Sequence, residues 1–92
     1  MRVIIRDGAY DDLDRIYSWI ARDRPRVANS VIDRILESIA KLGDLPFIGH
    51  MGRAPGTYEW VVRGLPYIVV YQIDSNHGEV QVTAVFHGAQ DR

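Results

Sequence analysis

Residues 2 to 6, Arg-Val-Ile-Ile-Arg, make a short β-branched run that stops at Asp7-Gly8, which predicts a strand closed by a turn. From Ala9 the spacing changes. Ala9, Leu13, Ile16, Tyr17 and Ile20 fall on one helical face, while Asp11, Asp12 and Asp14 occupy the first turns, where a helix dipole favours anions. This helix should end near Asp23, because the residue before Pro25 is pushed out of helical geometry, and Pro25 suits the first turn of a second helix. Ala28, Val31, Ile32, Ile35, Ile39 and Leu42 carry the i, i+3, i+4, i+7 pattern onward, with Gly43 as the expected stop. Two antiparallel helices joined by a few residues follow from these spacings.

Residues 44 to 56, Asp-Leu-Pro-Phe-Ile-Gly-His-Met-Gly-Arg-Ala-Pro-Gly, are expected to be loop throughout. Their Gly52 to Gly56 portion is no phosphate cradle, since it lacks the G-x-x-x-x-G-K-[ST] spacing and a following helix. Three β-type runs come next, at 57–63, 66–73 and 79–87, linked by turn signals at Gly64 and across Asp74 to Gly78. The order β-α-α-β-β-β describes one α+β domain over residues 1–92, a helical hairpin packed on an antiparallel sheet with the first strand added at an edge.

Strand parity then assigns faces. Val80, Val82, Ala84 and Phe86 form the apolar side of the last strand and are expected to meet the helices, as are Tyr58 and Trp60 of the first hairpin strand. Glu59, Arg63, Gln72, Gln81, Thr83 and His87 are expected on the other side. Trp19 lies well off the apolar centre of its helix, so it borders the core or marks a contact surface.

Composition narrows the chemistry. There are no cysteines, and His50, His77 and His87 lie in separate segments without a close helical pair, so neither a thiolate metal site nor a zinc site is expected. No apolar run approaches the ~18 residues of a membrane span, and the acidic turn after Arg6 is unlike a signal peptide, so a soluble cytoplasmic protein is expected. Residues 1–43 hold eight basic groups against seven acids and residues 44–92 hold three against five, giving +1 and −2. That balance argues against a phosphate-gripping nucleic-acid domain. All the basic groups but Lys41 are Arg, a bias suited to forked pairing with carboxylates.

Taken in order, the elements, the Pro46-Phe47-Ile48-Gly49 motif, the run Glu59-Trp-Val-Val-Arg-Gly-Leu-Pro-Tyr-Ile-Val-Val-Tyr-Gln-Ile73 and the ending Val85-Phe-His-Gly-Ala-Gln-Asp-Arg92 resemble the RelE/ParE superfamily of type II toxins across nearly the whole chain. The resemblance implies a small cofactor-free toxin that causes growth arrest, encoded beside an antitoxin that wraps and neutralises it in a hetero-oligomer. RelE-like members cleave mRNA in the ribosomal A site, and ParE-like members inhibit DNA gyrase. A helical hairpin and an open sheet edge offer an antitoxin two docking modes, a helix in a groove and an added strand. Arg15, Trp19, Arg22, Arg24 and Arg26 are the candidate partner-binding residues, with the arginines as forked partners for carboxylates.

The two branches differ in chemistry. Metal-free RNA cleavage needs a base, an acid and a cation at the phosphorane, and Glu59, His87 and Arg63 are the residues of the right type, should the chain be a nuclease. Their plainer readings are surface charges for Glu59 and Arg63 and a strand-terminal histidine bonded to nearby backbone for His87. The resembling nucleases carry an Arg in the third strand where this chain has Ile68, and loss of such a cation costs about 2.7–4 kcal/mol of transition-state stabilisation. The tail after His87 also lacks their basic and aromatic residues. The ParE-like reading is therefore preferred, with the ribosome-dependent nuclease as the alternative and, as the second, an inactive family member acting only as an antitoxin-binding or autoregulation partner.

Overall fold

The computed structural model describes residues 1–89; the tail residues Gln90, Asp91 and Arg92 considered above lie outside them. The elements are β1 (Arg2–Ile5), α1 (Asp7–Ala21), α2 (Pro25–Asp44), β2 (His50–Met51), β3 (Tyr58–Val61), β4 (Tyr67–Asp74) and β5 (Glu79–His87). They build a five-stranded sheet in the order β1-β5-β4-β3-β2, with both helices on one face. β3, β4 and β5 form the expected meander, and β1 takes the expected edge. β1 runs parallel to β5, so the sheet is mixed.

Three local expectations need correction. Asp7 and Gly8, expected as a turn, are the first residues of α1. Pro25 opens α2 as foreseen, but Gly43 does not end it, since the helix runs on to Asp44. A Cβ at Gly43 would lie 2.9 Å from the Met1 carbonyl oxygen and 3.2 Å from a Val3 methyl, so this glycine admits β1 against the helix. Residues 44–56 are likewise more than loop, for His50 and Met51 pair with Glu59 and Tyr58 and put β2 on the sheet edge. The approach of that segment is set by Gly49, whose N–H donates to the Tyr71 hydroxyl at 3.0 Å. A Cβ there would sit 2.6 Å from that hydroxyl and 2.7 Å from the Glu59 carbonyl oxygen, which explains the glycine of the Pro46–Gly49 motif.

The core lies between helices and sheet. Ile35 and Leu42 of α2, Val69 and Tyr71 of β4, and Val80 and Val82 of β5 are sealed from solvent, each aliphatic side chain contributing about 1.5–3 kcal/mol of burial. Tyr58 and Trp60 pack against this cluster from β3, the inward side expected of them.

The face expected for His87 is wrong, and the cause is one residue. Along β5, Val80 pairs with Ile73 and Val82 with Tyr71, but Ala84 pairs with Val70, so Thr83 is an unpaired extra residue and the strand carries a β-bulge. Its hydroxyl donates to the Val70 carbonyl at 3.4 Å. Beyond the bulge the parity inverts. Val85, opposite Val69, and His87, opposite Tyr67, join the helix-facing side, while Ala84 and Phe86 turn to the open face.

Candidate functional site

The bulge and α1 together form a cleft of about 400 Å³. Among the described residues the β1 side of β5 has no strand partner beyond Ile5 and Val82, and α1 takes that place. Asp12 accepts the Val85 N–H at 2.9 Å through one carboxylate oxygen, satisfying a strand-edge donor, while Arg15 donates to the other at 3.0 Å. Asp12, Arg15, Ile16 and Trp19 line the helix side of the cleft, and Tyr67, Val85 and His87 line the sheet side.

His87 is held on two sides. Its Nδ1 accepts the Ala89 N–H at 3.0 Å, and its ring meets Tyr67 edge to face with centroids 5.4 Å apart. Burial pushes the Tyr67 phenol above its ordinary range, so it stays protonated at neutral pH. Trp19 is 70% exposed, and the Arg22 guanidinium stacks over its ring at 5.4 Å. Arg15, Arg22, Arg24 and Arg26 are all exposed at or near the α1–α2 junction, so the candidate partner-binding residues share one end of the molecule.

The residues of the nuclease alternative do not converge. Glu59 stands on the open face opposite Val70, with its carboxylate near the Arg53 N–H at 3.4 Å. His87 is on the helix-facing side, across the sheet from it. β3 ends at Val61, and Arg63, two residues beyond it, lines a cleft with Lys41 and Asp44 of α2. Ile68, at the position where a cation would be needed, lies between Val61 and Phe86 in an apolar row. Among the described residues no three His, Asp or Glu side chains cluster as metal ligands, and no helix is long and apolar enough to cross a membrane.

Asp12 and Tyr67 were not singled out by sequence reasoning. Asp12 read as one of several acids in a helix start, and nothing local marks it as the partner of a strand amide 73 residues away.

A helical hairpin laid on one face of a five-stranded mixed sheet is the architecture of the RelE/ParE class of small toxins. One chain of the chromosomal ParDE system from P. aeruginosa matches with a TM-score of 0.84 at 20% identity, covering 95% of both chains. The RelBE2 toxin–antitoxin complex from Mycobacterium tuberculosis matches at 0.65 with 26% identity, covering 94% of this chain and 95% of that one. In sequence, Y4kP of Sinorhizobium fredii is 35% identical over 78 residues, or 85% of this chain and 78% of that protein. The chain belongs to the family of ParE toxins of type II toxin–antitoxin systems, whose model matches residues 3–92.

Proposed function

We propose that the chain arrests growth by inhibiting DNA gyrase in the cytoplasm, without cutting RNA, and that a cognate antitoxin from a neighbouring gene neutralises it. The carrying observation is the separation of Glu59 and His87 by the sheet. A base and an acid acting on one phosphate must both come within hydrogen-bond reach of it, and side chains on opposite faces diverge. The apolar row Val61–Ile68–Phe86 supports the same reading, because an uncharged surface cannot stabilise a phosphorane.

The antitoxin reading draws on family membership and on neighbours described as toxin–antitoxin systems. The exposed Arg15, Trp19, Arg22, Arg24 and Arg26 supply its contact surface, with stacked Arg22 and Trp19 as the anchor of mixed apolar and cationic character that interfaces favour. Induction without the neighbouring gene tests the target. DNA-damage signalling with filamentation, and loss of supercoiling by purified gyrase, are expected. Rapid loss of translation with cuts at codon boundaries would instead place the chain with the ribosome-dependent nucleases. Charge reversal of the four arginines together should abolish co-purification with the neighbouring gene product, and unchanged binding would remove this surface from the proposal.

A further inference from the structure

A second cleft, of about 630 Å³, lies toward the C-terminal end of α2, away from the arginine cluster at the helix junction. Its volume is that of a small-molecule site, about 300–1,000 Å³. The cleft opens where the apolar stripe of α2 is interrupted. Ile35, Ile39 and Leu42 carry the stripe, but among them stands Ser38, the one buried polar side chain of the described residues, at 7% exposure. A branched alkyl group at that position would fill part of the space. Serine leaves it open and puts a hydroxyl in the wall, with Trp60 of β3 also lining the cleft.

The charges around it are uneven. Arg34, Ser38 and Lys41 are spaced i, i+4 and i+7, so they share one face of α2. Gly64 has φ +78°, and a Cβ there would lie 3.2 Å from an Arg34 guanidinium nitrogen, so this glycine admits Arg34 beside Arg63. Lys41 and Arg63 line the cleft, and none of the three cations joins an ion pair among the described residues. Asp44 is the one acid lining it, so three cations less one carboxylate leave a formal charge of +2. The Trp60 indole N–H adds a further donor, hidden from solvent and without an acceptor among the described residues. Folded proteins rarely leave donors unmatched in this way, and here the deficit is of acceptors and negative charge. Leu45, Ile48 and Val61 make the rest of the lining apolar.

We propose that this cleft binds a small organic phosphomonoester, its phosphate held by Arg34, Lys41, Arg63 and the Ser38 hydroxyl and its apolar or aromatic body laid against Leu45, Ile48 and Val61. A phosphomonoester carries about −1.5 to −2 at neutral pH and balances the +2 of the site, where a single carboxylate would leave half of it uncompensated. Forked guanidinium donors match phosphate oxygens, and an ammonium adds a point charge. The apolar lining selects a ligand with an organic body over inorganic phosphate. A polynucleotide is a poorer match, because its backbone needs a basic track and the chain as a whole has a net charge of −1. The site is independent of the growth-arrest reading and stands whichever target the chain has.

Calorimetric titration of the purified full chain with AMP, adenosine and inorganic phosphate tests it. AMP should bind about tenfold or more tightly than either of the others, since adenosine lacks the charge and phosphate lacks the body. Rising salt should weaken AMP binding and leave adenosine unaffected. Arg63→Gln and Lys41→Gln should each weaken AMP binding by about tenfold. Both side chains are exposed, so these variants should fold as the parent does. Ser38→Leu, which continues the apolar stripe into the cleft, should abolish binding. In a Trp19→Phe background Trp60 is the one remaining tryptophan, and its fluorescence should respond to AMP and saturate with the calorimetric affinity. Absence of AMP binding, equal affinity for AMP and adenosine or for AMP and phosphate, or unchanged affinity in a folded Lys41→Gln, Arg63→Gln double variant overturns the proposal.

Discussion

On the helix-covered face of the sheet, Val69, Tyr71, Val80 and Val82 are wholly buried, whereas on the open face their strand neighbours Ile68, Gln72 and Gln81 keep contact with water. The same strands build both faces, so backbone hydrogen bonding is common to them and the difference lies in what covers each. A titratable residue on the covered side, such as His87, is seated by Tyr67 and the Ala89 N–H. Glu59 on the open side has only the Arg53 amide near its carboxylate in the bonds described. Residue types alone therefore do not make a catalytic group, because two suitable side chains belong to one site only when the strand register puts them on one face.

The contrast can be broken most severely from the covered side. Ile35→Ala should cost about 2–5 kcal/mol of unfolding free energy, while Ile68→Ala on the open face should cost about 1 kcal/mol, both measurable by urea denaturation. Equal losses would mean that the open face is covered in solution. Asp12→Ala leaves the Val85 N–H without its acceptor and should cost about 2 kcal/mol, with faster hydrogen exchange at the Val85 amide; Asp12→Asn, which retains a carbonyl acceptor, should recover part of it. Tyr71→Phe removes the acceptor of the Gly49 N–H and should cost about 1 kcal/mol.

His87→Gln sharpens the functional side of the comparison. Loss of the ring contact with Tyr67 should cost about 0.5–1 kcal/mol, and growth arrest should persist, as it should in Glu59→Gln. A folded His87→Gln chain that binds antitoxin but no longer arrests growth would restore the nuclease alternative.

The smallest effect belongs to the β4–β5 end of the sheet. The His77 side chain holds the Asp74 carboxyl below its ordinary range, and the Arg2 guanidinium does the same for Glu79. A carboxylate depressed in the folded state contributes stability that is complete above its unfolded value, about 4, and is lost as pH falls through the folded value. Stability should therefore decline below about pH 4, and Asp74→Asn with Glu79→Gln should flatten that limb. Both carboxylates are partly exposed members of surface ion pairs, so the change is slight and shrinks further in high salt.

Much of the molecule was legible in local sequence. The apolar spacing from Ala9 to Ile20 and from Ala28 to Leu42 placed both helices, Pro25 marked the start of the second, and alternation located the three strands of the meander. The candidate site was less accessible. The candidate partner-binding arginines could be grouped because they flank one helix junction, but Asp12 and Tyr67 enter the cleft through pairings that join distant segments.

The amino-acid order by itself determined the element types, the helical hairpin, the absence of thiol chemistry and the resemblance that family comparison established, since each depends on residues near one another or on their order. Only the tertiary structure decided where His87 faces, that His50 and Met51 form a strand, and that Gly43 lies inside a helix. The physical reason is common to the three. Thr83 is extra only relative to β4, β2 exists only because β3 lies beside it, and Gly43 is required only where β1 comes close, so each is a property of a contact between separate stretches of chain.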